Sequence, residues 1–219
     1  MTDSIRYPLV LGLISLCSAA GLAVSYTLTR DEIRRQQVLK RNRGLAAVFG
    51  IAFDETSDAP PPWKALGEAA EKQHGVVYRA EDPKTGRRLF ATGGRAQGYS
   101  SKVSVIVAVD EAIAKTPRQA KVQAIKVVGQ LETPGLGSRC ADEAFQRQFR
   151  ELPLGKLEVA KNAKYRVPEN DVEGEQGIAA ITGATITTNA VIGAVREALE
   201  RIRERAREHR EPTDHSQAP

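Results

Sequence analysis

Aromatic residues are scarce, 5% of the chain, which argues against a base-stacking platform for single-stranded nucleic acid. Lys and Arg outnumber Asp and Glu by only five, 32 against 27. The two signs are interleaved along most of the chain, so no nucleic-acid-binding face is implied. Two cysteines and three histidines exclude a disulfide framework and argue against a zinc site. Neither GxxxxGK[ST] nor GxGxxG occurs, so there is no standard nucleotide cradle. No internal repeat is present. What remains is an ordinary globular composition, 41% apolar and 27% charged over 219 residues, suited to one medium domain with a small accessory element.

Charge is absent altogether from Tyr7 to Thr29. Pro8 to Leu28, at about 1.5 Å per residue, reaches roughly 31 Å, enough to cross a hydrocarbon core of about 30 Å. A cleaved signal peptide is the alternative, with Ser18-Ala19-Ala20 as small residues. The apolar run exceeds the length of a signal h-region. It also continues directly into helix-compatible Arg30-Asp31-Glu32-Ile33-Arg34-Arg35, which favours an uncleaved anchor. Leu16 stands where a lipoprotein signal before Cys17 needs a small residue. The basic residues beyond the span outweigh Arg6 before it, so the positive-inside rule alone places the following domain in the cytoplasm.

Arg30–Val48 reads as helix and Asp54–Trp63 as a break around Pro60-Pro61-Pro62. Leu66–Gln73 reads as a short helix. Val76–Ala80 and Leu89–Thr92 flank the turn composition Asp82-Pro83-Lys84-Thr85-Gly86 and predict a hairpin. Gly93, Gly94 and Gly98 read as punctuation of the next connection. Lys102–Asp110, KVSVIVAVD, predicts a strand buried on both sides, and Lys121–Val128 another. Leu152–Val159 and Tyr165–Val167 are weaker strands. Asn189–Arg207 is an amphipathic helix with Ile192, Val195, Leu199 and Ile202 on one stripe. Its alternating Arg and Glu read as a solvated face laced by i,i+4 pairs. The predicted class is α+β, with an antiparallel-rich sheet and flanking helices behind one membrane helix. The expected divisions are an anchor over 1–29, a membrane-proximal helical region over 30–75, the main domain over 76–209 and a polar tail over 210–219.

Two segments stand apart. Glu132-Thr133-Pro134-Gly135-Leu136-Gly137 follows a strand, and Thr182-Gly183-Ala184-Thr185-Ile186-Thr187-Thr188 precedes the last helix. The second concentrates hydroxyls and small residues at a helix N-terminus, where unpaired N–H groups suit a phosphate. Read plainly, Thr188 is an N-cap and the first segment a turn. The residues alone leave both readings open.

At these segments the chain resembles the FMN-binding domain family. Thr182-Gly183-Ala184-Thr185 is similar to its S/T-G-A-T flavinylation motif, and Glu132–Gly137 to its other signature. The order of the two behind a lone span resembles the G component of Rnf-type complexes, and also the C component of the sodium-translocating NADH:quinone reductase. The resemblance implies FMN joined to Thr185 by a phosphoester, installed by a flavin transferase that uses FAD and magnesium. Thr182, Gly183, Ala184 and Thr187 would surround the phosphate. Glu132, Thr133, Pro134, Gly135, Leu136 and Gly137 would lie against the ring. It further implies an electron carrier, not catalytic alone, in a membrane complex that passes electrons between ferredoxin and NAD and moves ions. Its partners are the other membrane subunits, and its domain lies on the periplasmic face of the bacterial inner membrane, against the charge count. Asp31, Glu32 and the N-terminal amine soften that count. One position departs: the family's motif usually has an Asp six residues before the flavinylated threonine, and here it is Ala179, with Glu175 and Glu173 the nearest acids upstream. The alternatives are a flavin-free interaction or regulatory protein, favoured by Ala179, and an FMN carrier for another respiratory or extracellular chain. Cys140 is expected to be a free, non-essential thiol, Trp63 a packing anchor, and His74, His209 and His215 exposed.

Overall fold

The computed structural model describes residues 3–55, 60–66, 75–116, 119–165 and 177–208. The chain divides into two units, Met1–Arg41 and Asn42–Pro219. The first is the greater part of α1 (Asp3–Phe49), which is long and apolar enough to cross a membrane and buries none of its apolar window. The charged stretch after the span therefore continues the same helix, with no break at Thr29.

The second unit is built on a six-stranded antiparallel meander, β1 (Lys64–Leu66), β2 (Val77–Glu81), β3 (Arg88–Gln97), β4 (Lys102–Asp110), β5 (Lys121–Gly129) and β6 (Leu152–Pro153), in that spatial order. The short helices α2 (Ala112–Lys115) and α3 (Glu143–Arg147) and a 3₁₀ turn at Gly137–Ala141 fill the connections. β7 (Val159–Tyr165) pairs in parallel with β8 (Ile178–Ile181), and α4 (Thr185–Glu208) follows. The predicted α+β class and the central strands stand as expected.

β4 explains why the sheet is buried twice. Val103, Val105, Val107 and Val109 are fully buried in one core with Val191, Val195 and Ile202 of α4 and with Phe145 and Phe149. Ile106 and Ala108 turn to a second core with Leu45, Val48 and Phe49 from the end of α1, and with Trp63. Alternation thus serves two apolar faces. Each fully buried Val, Ile or Phe contributes about 1.5–3 kcal/mol. Trp63 packs against Phe49 and Phe53 at ring separations of 6.2 and 5.6 Å, as a core anchor.

Several local expectations need correction. β3 runs through Gly93 and Gly94, which are not punctuation. A Cβ on Gly94 would sit 1.9 Å from the Ala194 carbonyl oxygen, so glycine lets α4 lie directly on the strand. The Ala190, Ala194 and Ala198 row supplies the matching flat helix face, all three buried. Leu66 ends β1 and is not helical; the rest of the expected Leu66–Gln73 helix lies outside the described residues. The Leu152–Val159 run is a two-residue strand, a 3₁₀ turn at Leu154–Lys156 and the start of β7, because Gly155 and the preceding Pro153 interrupt extended pairing. Tyr165 closes β7, and residues 166 and 167 lie outside the described residues, as do His74, His209, His215 and the tail. The Arg/Glu face of α4 is partly docked. Arg201 pairs with Glu197 and donates to the Gly93 carbonyl at 2.7 Å, Glu197 accepts the Arg95 N–H at 2.6 Å, and Arg196 donates to the Leu157 carbonyl at 2.6 Å.

The Gly94 contact separates two neighbouring glycines. Gly94→Ala is expected to cost about 1–3 kcal/mol by overpacking against backbone. Gly93→Ala, whose Cβ would meet nothing closer than 3.9 Å, is expected to change stability by less than half as much. Thermal unfolding of both variants checks this.

Candidate functional site

The register places three connections together. Gln97 pairs with Lys102 and Ser104 with Gly129, so the β3–β4 turn and the exit of β5 lie at the same end of the sheet. The β8–α4 turn joins them through Glu132. This side chain is buried, and its carboxylate receives five donors. Oε1 accepts from the backbone N–H of Ser100 (3.0 Å), the N–H of Ser101 (2.8 Å) and the Ser101 hydroxyl (3.2 Å). Oε2 accepts from the Tyr99 N–H (3.1 Å) and the Thr187 hydroxyl (2.6 Å). Burial pushes the Glu132 carboxyl upward, but the Thr187 hydroxyl and the three N–H groups outweigh it and hold the group below the usual carboxylate range. Consecutive N–H groups from one tight turn form an anion-binding concavity, here filled by the chain's own carboxylate. Two glycines make the approach possible. A Cβ on Gly98 would lie 2.7 Å from Glu132 Oε1, and one on Gly137 2.7 Å from the Thr187 hydroxyl oxygen.

Thr182 and Gly183 turn the chain out of β8, with Gly183 at φ +78°, a left-handed conformation that glycine adopts without strain. The helix begins at Thr185, not at Asn189. Thr188 is therefore no N-cap: its hydroxyl accepts the Ile181 N–H (3.1 Å) and donates to the Ala184 carbonyl (3.1 Å), tying strand to helix. Four β-branched residues in a row have poor helix propensity, and these tertiary bonds override it. Thr187 and Thr188 are buried, whereas Thr185 is exposed. Ala184 is buried, and Thr182 and Gly183 are exposed. The two signature segments touch, since a Cβ on Gly183 would meet Leu136 Cδ2 at 3.2 Å. Thr133, Pro134, Gly135 and Leu136 form a turn in which all four are exposed, with Gly135 at φ +75° and its N–H donated to the Ser138 hydroxyl at 3.0 Å. Gly137 is buried beneath Thr187.

The three segments that meet here carry one charge between them. Across residues 98–101, 130–138 and 182–189, Glu132 is the one acidic or basic residue, and it is buried. Outside α1, the exposed large apolar side chains among the described residues are Tyr99, Leu131, Leu136 and Ile186. All four belong to these segments. The face can therefore take a flat, largely apolar ring, while the exposed Thr185 hydroxyl and the N–H groups of the first helical turn suit a phosphate. Tyr99, Ser100 and Ser101 were not singled out by the sequence patterns. The signal for them was an uncharged Gly-Tyr-Ser-Ser run at a strand end. Ala179 is buried in β8, its N–H donated to Gln148 Oε1 at 2.8 Å.

Cys140 is fully buried beside this site. Burial, with Glu132 and Asp142 adding repulsion, pushes its thiol up to about 11. A raised thiol pKa leaves the inert protonated form in place through neutral and mildly alkaline pH. With Cys17 replaced, Cys140 is expected to resist iodoacetamide at pH 8 in the folded chain and to react fully once denatured, read by intact mass.

Residues 98–200 match the family described as the FMN-binding domain. The chain is 33% identical over 113 residues to the G component of the proton-translocating ferredoxin:NAD(+) oxidoreductase complex of Clostridium ljungdahlii, a match spanning 52% of each protein, about half the length of that relative. It is 28% identical over 208 residues to the G component of the ion-translocating oxidoreductase complex of Aliivibrio fischeri, covering 91% of this chain and 90% of that one. The crystal structure of Shewanella oneidensis NqrC shares the fold, with a TM-score of 0.52 at 16% identity over 80% of this chain and 98% of that one.

Proposed function

We propose that this chain, which carries an FMN-binding domain behind one apolar helix, is the membrane-anchored flavin carrier of an ion-translocating oxidoreductase complex of the Rnf type, with FMN esterified to Thr185. The observation that carries the attachment site is the unequal fate of three threonines. In the first turn of α4, Thr187 and Thr188 are buried with their hydroxyls committed to Glu132 and to Ala184, and Thr185 stands exposed.

The residues suit the group. Thr185 would supply the acceptor oxygen for the FMN phosphoryl group, with FAD as donor and AMP as the leaving group. A threonine hydroxyl is a weak nucleophile unaided, so activation belongs to the flavin transferase. The helix N-terminus stabilises the resulting negative ester by about 0.3–1 kcal/mol, and Gly183 allows close backbone approach. Tyr99, Leu136 and Ile186 offer apolar surface to a ring. When bound, the flavin supplies the electron chemistry, relaying electrons between ferredoxin and NAD within the complex. The other membrane subunits are its partners, α1 is its anchor, and the domain from Arg30 onward faces the periplasm of the bacterial inner membrane.

Thr185→Val keeps shape and β-branching while removing the hydroxyl. Flavin fluorescence that survives denaturation and migrates with the chain is expected in the wild type and in Thr188→Val, and is expected to vanish in Thr185→Val. A wild type without covalent flavin, after co-expression with its transferase, would favour the flavin-free interaction protein.

A further inference from the structure

The carboxylate of Glu132 has about four lone-pair sites and receives five protein donors. None is left for a ring N–H or a ribityl hydroxyl to donate to. A buried carboxylate is retained only where donors compensate its desolvation, and these donors come from two elements far apart in sequence, the β3–β4 turn and the first turn of α4. Ser101 carries the network one step further, its hydroxyl accepting the Leu131 N–H at 2.7 Å. The Gln130 side chain adds a local brace by accepting the Glu132 N–H at 2.7 Å.

We propose that Glu132 and Thr187 are positioning residues, not flavin ligands: the Glu132 carboxylate pins the Thr187 hydroxyl inward and thereby presents the Thr185 hydroxyl outward for flavin attachment. This rests on the reading of Thr185 as the acceptor. The helix supplies the geometry. Residues two apart are about 200° apart around the axis, so holding Thr187 against the sheet end turns Thr185 to solvent. Burial follows that pattern, with Thr187 1% exposed and Thr185 exposed. The same carboxylate joins the turn bearing Tyr99, 70% exposed, to the first turn of α4. It does so without adding a surface charge, which leaves the face apolar. A glutamine does not reproduce it, because its amide nitrogen would confront a backbone N–H whichever oxygen it replaced, Tyr99 on one side or Ser100 and Ser101 on the other.

The test follows attachment to the full-length chain in detergent, with flavin transferase, FAD and magnesium, as a function of chain concentration. Glu132→Gln is expected to lower the kcat of attachment at least tenfold while KM for the chain stays within threefold, because the recognised surface persists and the hydroxyl is misaligned. Thr187→Val is expected to lower kcat at least threefold, and Thr187→Ser, which restores the hydroxyl, to return within twofold of wild type. A merely structural lesion would lower the melting midpoint and labelling together and would not distinguish serine from valine. If Glu132→Gln fails to fold, the Thr187 pair decides. Wild-type rates in Glu132→Gln and Thr187→Val overturn the inference while leaving Thr185 as acceptor. A wild type that takes no flavin from a transferase active on another acceptor overturns both.

Discussion

One buried carboxylate organises the working end of this protein. Glu132 sits where three connections meet, and its charge is compensated by three backbone N–H groups and two hydroxyls. Removing water from a carboxylate costs several kcal/mol unless such donors replace it, so the surrounding chain is built to supply them. Gly98 and Gly137 are part of that cost, since a side chain at either would occupy the space of the carboxylate or of its Thr187 donor. The segments it joins carry no other charge and leave Thr185 exposed.

The scaffold beneath allows such loops to be held still. The sheet is covered on one face by α4 and on the other by the end of α1, so its central strand is apolar at almost every position. Small residues set the closeness of that packing, Gly94 against the backbone at Ala194. Arg201 and Glu197 then clamp helix to strand by bonding the β3 backbone at Gly93 and Arg95. Because α4 is fixed along its length, its first turn arrives at the sheet end in one orientation. Thr188 secures it to the last residue of β8.

Where the pattern is local, the sequence shows it. KVSVIVAVD announces β4, and Asp82 announces its turn by accepting the Lys84 N–H and the Thr85 hydroxyl. The two motifs were legible as motifs, and the resemblance they carry agrees with the FMN-binding domain match over residues 98–200. Geometry between distant residues was not legible. The Glu132 partners lie 31–33 and 55 residues away, and nothing at Tyr99 or Thr187 by itself signals that they converge. Gly93 and Gly94 looked like a break, because glycine that admits a helix and glycine that turns a loop read alike. The threonine run looked like a prelude to the helix, because its propensity is low and its stabilising bonds are tertiary.

The most direct test of this account is peptide mass mapping of the full-length chain isolated from membranes where it assembles with its complex. The account predicts that the peptide containing residues 182–189 carries an FMN phosphoryl group and that fragmentation assigns it to Thr185. An unmodified peptide, or an adduct on Thr182, Thr187 or Thr188, would contradict it.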